Sequence, residues 1–188
     1  MCDHRSMTHS ASPWVRRFIG GASPGGRLLD VACGQGRHVA LARDAGLDVL
    51  AVDRDIDAVA HLASDPRVVL VAADLEQGAA PPFAGQRFAV VVVTNYLWRP
   101  LLPAIVAAVA DDGLLIYETF ADGHQRFGRP SNPDFLLRPG ELLAATHGTL
   151  VPLAFEHVRL IDPSPRMVQR MCAAGPRHRW VANGAPVA

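Results

Sequence analysis

Apolar residues in this chain fall into short blocks that polar or glycine-bearing residues interrupt. Leu28–Ala32, Asp48–Asp53, Val68–Ala73 and Phe88–Thr94 are the clearest, and Gly113–Glu118 is a fifth. Blocks of this length, rich in Val and Leu, predict buried strands. The Phe88–Thr94 block is apolar throughout, so both of its faces must be covered. Between the blocks, Arg37–Ala45, Asp55–Ala63 and Arg99–Ala110 predict helices. Gly46 supplies a stop for the first, and Pro100 or Pro103 suits the first turn of the third. Upstream, Pro13–Ile19 predicts a short amphipathic helix with Trp14 and Phe18 four apart on one face. That helix either covers the core or caps a ligand pocket.

The rhythm breaks at residues 120–138, where Gly and Pro alternate with aromatics, arginines and His124. A connection this long and irregular is usually functional. Pro139–His147 then predicts a short helix. Leu150–Ile161 and Arg166–Ala174 predict two last strands. Only Asp162-Pro-Ser-Pro165 joins them, too little for a helix, so they should run antiparallel.

The chain has 188 residues, 49% of them hydrophobic, and a formal net charge of zero. That suits one α/β domain over residues 13–188, with residues 1–12 expected as a flexible tail lacking an apolar signal core. Every basic residue apart from histidine is Arg. The neutral balance argues against a broad nucleic-acid surface, although a local patch in the loop or at Pro176–Trp180 stays open. No apolar run reaches the roughly 18 residues a membrane span needs. Cys2, Cys33 and Cys172 are scattered, which fits a reducing cytoplasm and offers no metal-ligand spacing. His147, His157 and His178 have no partners in sequence either, so no metal is expected.

The candidate chemistry gathers after the strands. The first holds Asp30 just before its end, and the chain then turns through Ala32-Cys-Gly-Gln-Gly36 into a helix opening with Arg37 and His38. Gly34 and Gly36 allow a tight reversal and close approach of a ligand to the backbone. The helix start offers free N–H groups. Asp53 closes the second strand, where a carboxylate can accept both hydroxyls of a ribose, and Arg54 follows it. Asp74-Leu75 follows the third strand and Asn95-Tyr96 the fourth. The dinucleotide pattern G-x-G-x-x-G fails at Val39, which argues against a nicotinamide oxidoreductase.

This run resembles motif I of the class I S-adenosylmethionine (SAM) methyltransferases, D-x-G-x-G-x-G, with Ala32 at the first glycine. The Gly34-x-Gly36-Arg37 form is most similar to the small tellurite- and thiopurine-resistance-like subgroup. The resemblance implies a three-layer Rossmann-like sandwich, with a seven-stranded, mostly parallel sheet and an antiparallel final strand. It implies a SAM site made of Asp30, Ala32, Cys33, Gly34, Gly36, Arg37, His38, Asp53, Arg54, Asp74, Leu75 and Asn95. Asp74 would accept the adenine amino hydrogens, the Leu75 N–H would meet a ring nitrogen, and Asn95 would lie beside the methyl group. S-adenosylhomocysteine is the implied product, with no metal. The chain lacks the N-P-P-Y form that amino-methylating nucleic-acid and glutamine enzymes carry after the fourth strand.

Methyl transfer needs orientation and a dry site more than a dedicated nucleophile. Asn95, Tyr96, Glu118 and His124 are the candidate catalytic residues, and Tyr96, Arg99, Arg126 and Arg129 the candidate acceptor contacts. Each has a plain structural alternative: a turn, core packing, a strand-end acid or a solvated loop. Cys33 reads as a small loop filler. The expected activity is methyl transfer to a small molecule by a cytoplasmic monomer or homodimer away from membranes. The alternatives are an RNA or protein methyltransferase, and a SAM-binding protein without activity.

Overall fold

The computed structural model describes residues 10–186, so residues 1–9 of the expected tail and residues 187–188 lie outside it. Seven strands form one sheet: β1 (Arg27–Val31), β2 (Asp48–Asp53), β3 (Val68–Ala72), β4 (Phe88–Thr94), β5 (Val109–Phe120), β6 (Val151–Leu160) and β7 (Arg166–Ala174). Their order is β3-β2-β1-β4-β5-β7-β6. The first five run parallel, and β7 is antiparallel to both β5 and β6. This is the expected three-layer α/β sandwich. Strand order reverses between β1 and β4, the place where open α/β sheets hold ligands beyond their carboxyl edge.

Helices cover both faces. On one, α1 (Pro13–Ile19) and α2 (Arg37–Asp44) bury Trp14, Phe18, Val39 and Ala42 against Leu28, Val49, Val90, Val92 and Ile116. α5 (Arg179–Asn183) joins them through Trp180. On the other, α3 (Leu102–Ala107) and α4 (Glu141–Thr146) bury Leu102, Ile105 and Leu142 against Val91, Val93, Leu115 and Tyr117. Alternation along each strand produces this sorting. It places Asp30, Asp53, Thr94 and Glu118 on the face that α1 and α2 cover.

Three elements differ from the pattern. Asp57–Leu62 is a 3-10 turn where the sequence predicts a helix over 55–63. The predicted helix 99–110 is a 3-10 turn at Arg99–Leu101 followed by α3, which stops at Ala107. From Val109 the chain is already in β5, paired with Phe88 before a register shift brings Leu114 beside Val90. The third difference lies in the tail, where Ala11 and Ser12 are buried. Ser12 accepts the Trp14 N–H as N-cap of α1, and its hydroxyl donates to Glu118 Oε1 at 2.9 Å. Among the described residues no helix is long and apolar enough to cross a membrane.

Candidate active site

A cavity of about 500 Å3 opens at the carboxyl edge of the sheet. Asp53, Arg54, Asp74, Leu75 and Asn95 line it, together with Ala32 from the glycine turn. Residues expected from four separate strand ends therefore meet in one place. Tyr96 lines it too, as do Thr119, Phe120, Pro130 and Phe135 from the end of β5 and the loop beyond.

The turn between β1 and α2 is built by its backbone. Gly34 and Gly36 have φ of 54° and 72°, and Ala32 has φ 55°. For Ala32 that left-handed conformation costs about 1–2 kcal/mol, and it keeps the course a glycine would follow at the first position of the motif. The Gly34 N–H donates to Asp53 Oδ2 at 2.8 Å, and the Asp55 N–H to Asp53 Oδ1 at 3.1 Å. Asp53 thus ties the turn to the tip of β2. Asp74 accepts the Glu76 N–H and the Gln77 side-chain amide, each at 3.0 Å. These bonds, with a smaller contribution from Arg54, hold its carboxyl below the usual range. Asn95 has φ 54°, a conformation Asn tolerates better than most residues, and its N–H donates to the Glu118 carbonyl at 2.9 Å.

Asp30 lies beneath the turn, outside the cavity lining, and is 1% exposed. Its Oδ2 has no hydrogen-bond partner among the described residues. Burial pushes its carboxyl up to about 8, although the Arg37 guanidinium opposes the shift and Asp53 adds to it. A buried acid without a partner beside a ligand turn fits a cationic ligand group.

His38 does not reach the cavity. It is buried, its Nε2 accepts the Ser12 N–H at 3.1 Å, and its Nδ1 faces Thr94 Oγ1 at 3.5 Å. Burial, with Arg37 and Arg16, pushes it down to about 3, so the imidazole stays neutral. Arg37 Nη2 reaches the same hydroxyl at 3.4 Å. Cys33 is buried and its thiol is pushed up to about 12 by burial and by Asp30 and Asp53. It is an inert filler, as the sequence suggests.

Glu118 faces away from the cavity. It holds Ser12 and meets Arg170 at 3.4 Å, and Arg170 also pairs with Glu156 at 2.6 Å and lies over the Trp14 ring. The contacts with Ser12 and Arg170 hold it there. Tyr117, whose hydroxyl donates to the Tyr96 carbonyl, belongs to the opposite face. His124 is 4% exposed rather than solvated, stacked on Phe120 at 4.2 Å. Arg126 and Arg129 are exposed and do not line the cavity.

Arg99 is already engaged. It donates to Glu141 Oε1 at 2.7 Å and to the Asp134 and Leu136 carbonyls at 2.6 and 2.8 Å, clamping the loop to the start of α4. Burial raises the Glu141 carboxyl, but the bonds from Arg99 and the Arg138 N–H outweigh it and leave a net depression. Arg99→Met should cost about 1–2 kcal/mol in urea unfolding, since the pair is part-exposed. A depressed acid contributes stability above its ordinary value of 4.5. The gap between wild type and variant should therefore be full at pH 6 and shrink as pH falls below that value. A gap unchanged at pH 3 would contradict the assignment.

Phe120, Pro130 and Phe135 lie in the segment 120–138 that the sequence marks only as a whole, and Glu76, Leu97 and Thr119 are lining that the sequence does not single out. Thr119 and Phe120 are the last residues of β5, which runs past the predicted strand end at Glu118, while nothing local marks Pro130 or Phe135.

Residues 28–111 match the sequence model of a methyltransferase domain. Among curated proteins there is no match. TehB from Haemophilus influenzae is 18% identical with a TM-score of 0.61, over 81% of this chain and 58% of that one. The 1,6-didemethyltoxoflavin-N1-methyltransferase of Burkholderia thailandensis, solved with 1,6-didemethyltoxoflavin and S-adenosylhomocysteine, is 19% identical with a TM-score of 0.60, over 81% and 72%. The [4+2]-cyclase SpnF is 15% identical with a TM-score of 0.64, over 87% and 78%. At these identities the likeness is one of fold, and the chain spans 58% of the length of TehB.

Proposed function

The chain resembles the class I SAM-dependent methyltransferases in sequence over residues 28–111 and in fold over most of its length, and on that premise we propose that it methylates a small-molecule acceptor. One observation carries the reading: Asp53, Asp74 and Asn95, each at the tip of a different strand, converge on one cavity whose far wall is the 120–138 loop.

SAM, when bound, supplies a methyl group already activated on a positively charged sulfur. Asp53 would hold the ribose hydroxyls, and Asp74 with the Leu75 N–H the adenine. Asp30 and Arg37 would take the charged methionine end. These side chains suit the parts of the cofactor in charge and in hydrogen-bonding sense. Phe120, Pro130 and Phe135 give the acceptor side an apolar wall from which a bound acceptor would displace water, and Asn95 stands at the end of β4 to orient what enters there.

The cavity's size supports a small acceptor. So does the placement of the basic run at 176–180. His178 and Trp180 are buried, His178 Nε2 donates to the Gly21 carbonyl, and Arg177 pairs with Asp111. That run follows β7 at the opposite end of the strands from the cavity, where Ala174 pairs with Leu114.

Asp53→Ala should weaken S-adenosylhomocysteine by about 1.5–3 kcal/mol in calorimetry, through lost charged hydrogen bonds and a loosened turn. Unchanged affinity would remove Asp53 from the site. The acceptor class is tested by incubating the protein and labelled SAM with cell extract and then separating RNA, protein and metabolites. Label in the metabolite fraction supports the proposal, and label confined to RNA or protein overturns it.

A further inference from the structure

The acceptor side of the cavity has a definite chemistry. Phe120 forms part of its wall and is backed by His124, whose ring stacks on it at 4.2 Å with an interplanar angle of 29°. His124 Nε2 donates to the Arg129 carbonyl at 3.0 Å, which fixes the backbone that presents Pro130. Phe135 is 41% exposed, although its neighbours Leu136 and Leu137 are buried in the core. An aromatic ring left so open on a cavity wall is a surface for another apolar group. Tyr96 contributes a hydroxyl that is buried and has no partner among the described residues. Its phenol is pushed up by burial and by Glu76, Asp74 and Asp53, so it remains a donor. A buried donor of this kind leaves a hydrogen bond unmade until a ligand accepts it.

The charges do not favour an anionic acceptor. Among the described residues that line the cavity, Asp53, Asp74 and Glu76 are acidic and Arg54 is basic. The other arginines that sequence suggests for an anion are engaged in the loop clamp, as Arg99 is, or do not line the cavity, as with Arg126 and Arg129. With Asp53 and Asp74 taken up by the cofactor on this reading, Glu76 and Arg54 balance, and the lining holds no surplus positive charge to bind an oxyanion or phosphorylated acceptor.

We infer, on the reading that the cavity holds SAM, that the acceptor is an uncharged, flat aromatic or heteroaromatic molecule. Its ring lies against Phe120, Pro130 and Phe135, and its polar edge accepts the Tyr96 hydroxyl proton in a hydrogen bond. In the transfer, a new bond forms between the acceptor heteroatom and the methyl carbon. The sulfur–methyl bond breaks with its electron pair staying on sulfur, and a proton carried by the heteroatom leaves to water. His124 is a positioning residue here, acting through Phe120 and Pro130.

The test uses the full chain saturated with S-adenosylhomocysteine and ligand-observed saturation-transfer titrations. The probes are quinolin-6-ol, quinoline-6-carboxylate, and decahydronaphthalen-2-ol as an uncharged saturated bicyclic alcohol of the same size. Quinolin-6-ol should bind about tenfold or more tightly than either of the others. Phe135→Ala and Tyr96→Phe should each weaken it about fivefold while S-adenosylhomocysteine affinity stays within about twofold. Equal binding of the carboxylate or of the saturated ring overturns the acceptor class alone. So does a loss of S-adenosylhomocysteine affinity on Tyr96→Phe, because the hydroxyl then serves the cofactor. Failure of the wild-type protein to bind S-adenosylhomocysteine is a separate outcome that removes the methyltransferase reading and the acceptor class together.

Discussion

Asp30→Asn is expected to stabilise the ligand-free protein at pH 8.5 and to weaken its binding of SAM at least about tenfold. The acid is 1% exposed, one oxygen has no partner, and its carboxyl is pushed up to about 8 by burial. In the unfolded chain it ionises near 4. Between those values the native state holds a proton that the unfolded state has lost. Stability therefore falls as pH rises from about 4 to about 8 and levels off above. The full span is worth up to about 5 kcal/mol at an undisturbed site. Asparagine stays neutral throughout, so the variant should melt several degrees higher than wild type at pH 8.5 and show no such gain at pH 4. Binding a cation reverses the preference and drives the proton off. Calorimetry at pH 7 in two buffers of different ionisation enthalpy should find up to one proton released by wild type beyond the number released by the variant. Equal proton counts, or equal SAM affinity, would show that Asp30 does not face the ligand's charge.

The second large effect is expected in the turn itself. Gly36→Ala should cost about 2–5 kcal/mol, the sum of a left-handed alanine and an overpacked contact. A Cβ there would stand 2.6 Å from Val59 Cγ1 and 3.2 Å from Leu62 Cδ1, both in the buried side of the turn after β2. Valine's short branch cannot swing away, so α2 or that turn must move. Gly34→Ala meets nothing within 4 Å and pays only the conformational cost, about 1–2 kcal/mol. Urea unfolding of the two variants separates the contributions. Equal losses would mean that contact with Val59 does not govern the turn.

Much of the architecture is legible in the apolar blocks, because a strand covered on both faces has few other ways to read. The errors fall where periodicity is ambiguous. Val109 and Ala110 follow a run of alanine and valine that suits a helix or a strand equally, and only pairing with Phe88 resolves them. The cofactor side of the site is legible because each residue sits beside the strand that carries it. The acceptor side is not. Arg99 looks free until Glu141, 42 residues later, takes it up. Glu118 lies on the same face as Asp53, and it is Ser12 and Arg170, 106 and 52 residues away, that engage it away from the cavity. Leu136 and Leu137 are core residues within an apparently polar loop, at 2% and 0% exposure. Removing residues 120–138 would therefore unfold the protein, and Phe135→Ala is the informative change.

The anchoring of α1 carries a consequence for how the chain is made. Ser12 meets Glu118 across 106 residues, Arg170 covers Trp14, and Gly21 waits for His178 across 157. Contacts so distant form late, and a chain leaving the ribosome presents its first helix long before their partners exist. Trp14 and Phe18 must then pass most of synthesis without cover, and α1 closes the domain instead of nucleating it. A nascent chain halted ahead of β5 would lack Leu114 and Ile116 as cover for both rings, and a chaperone or a fluorescence quencher could reach them.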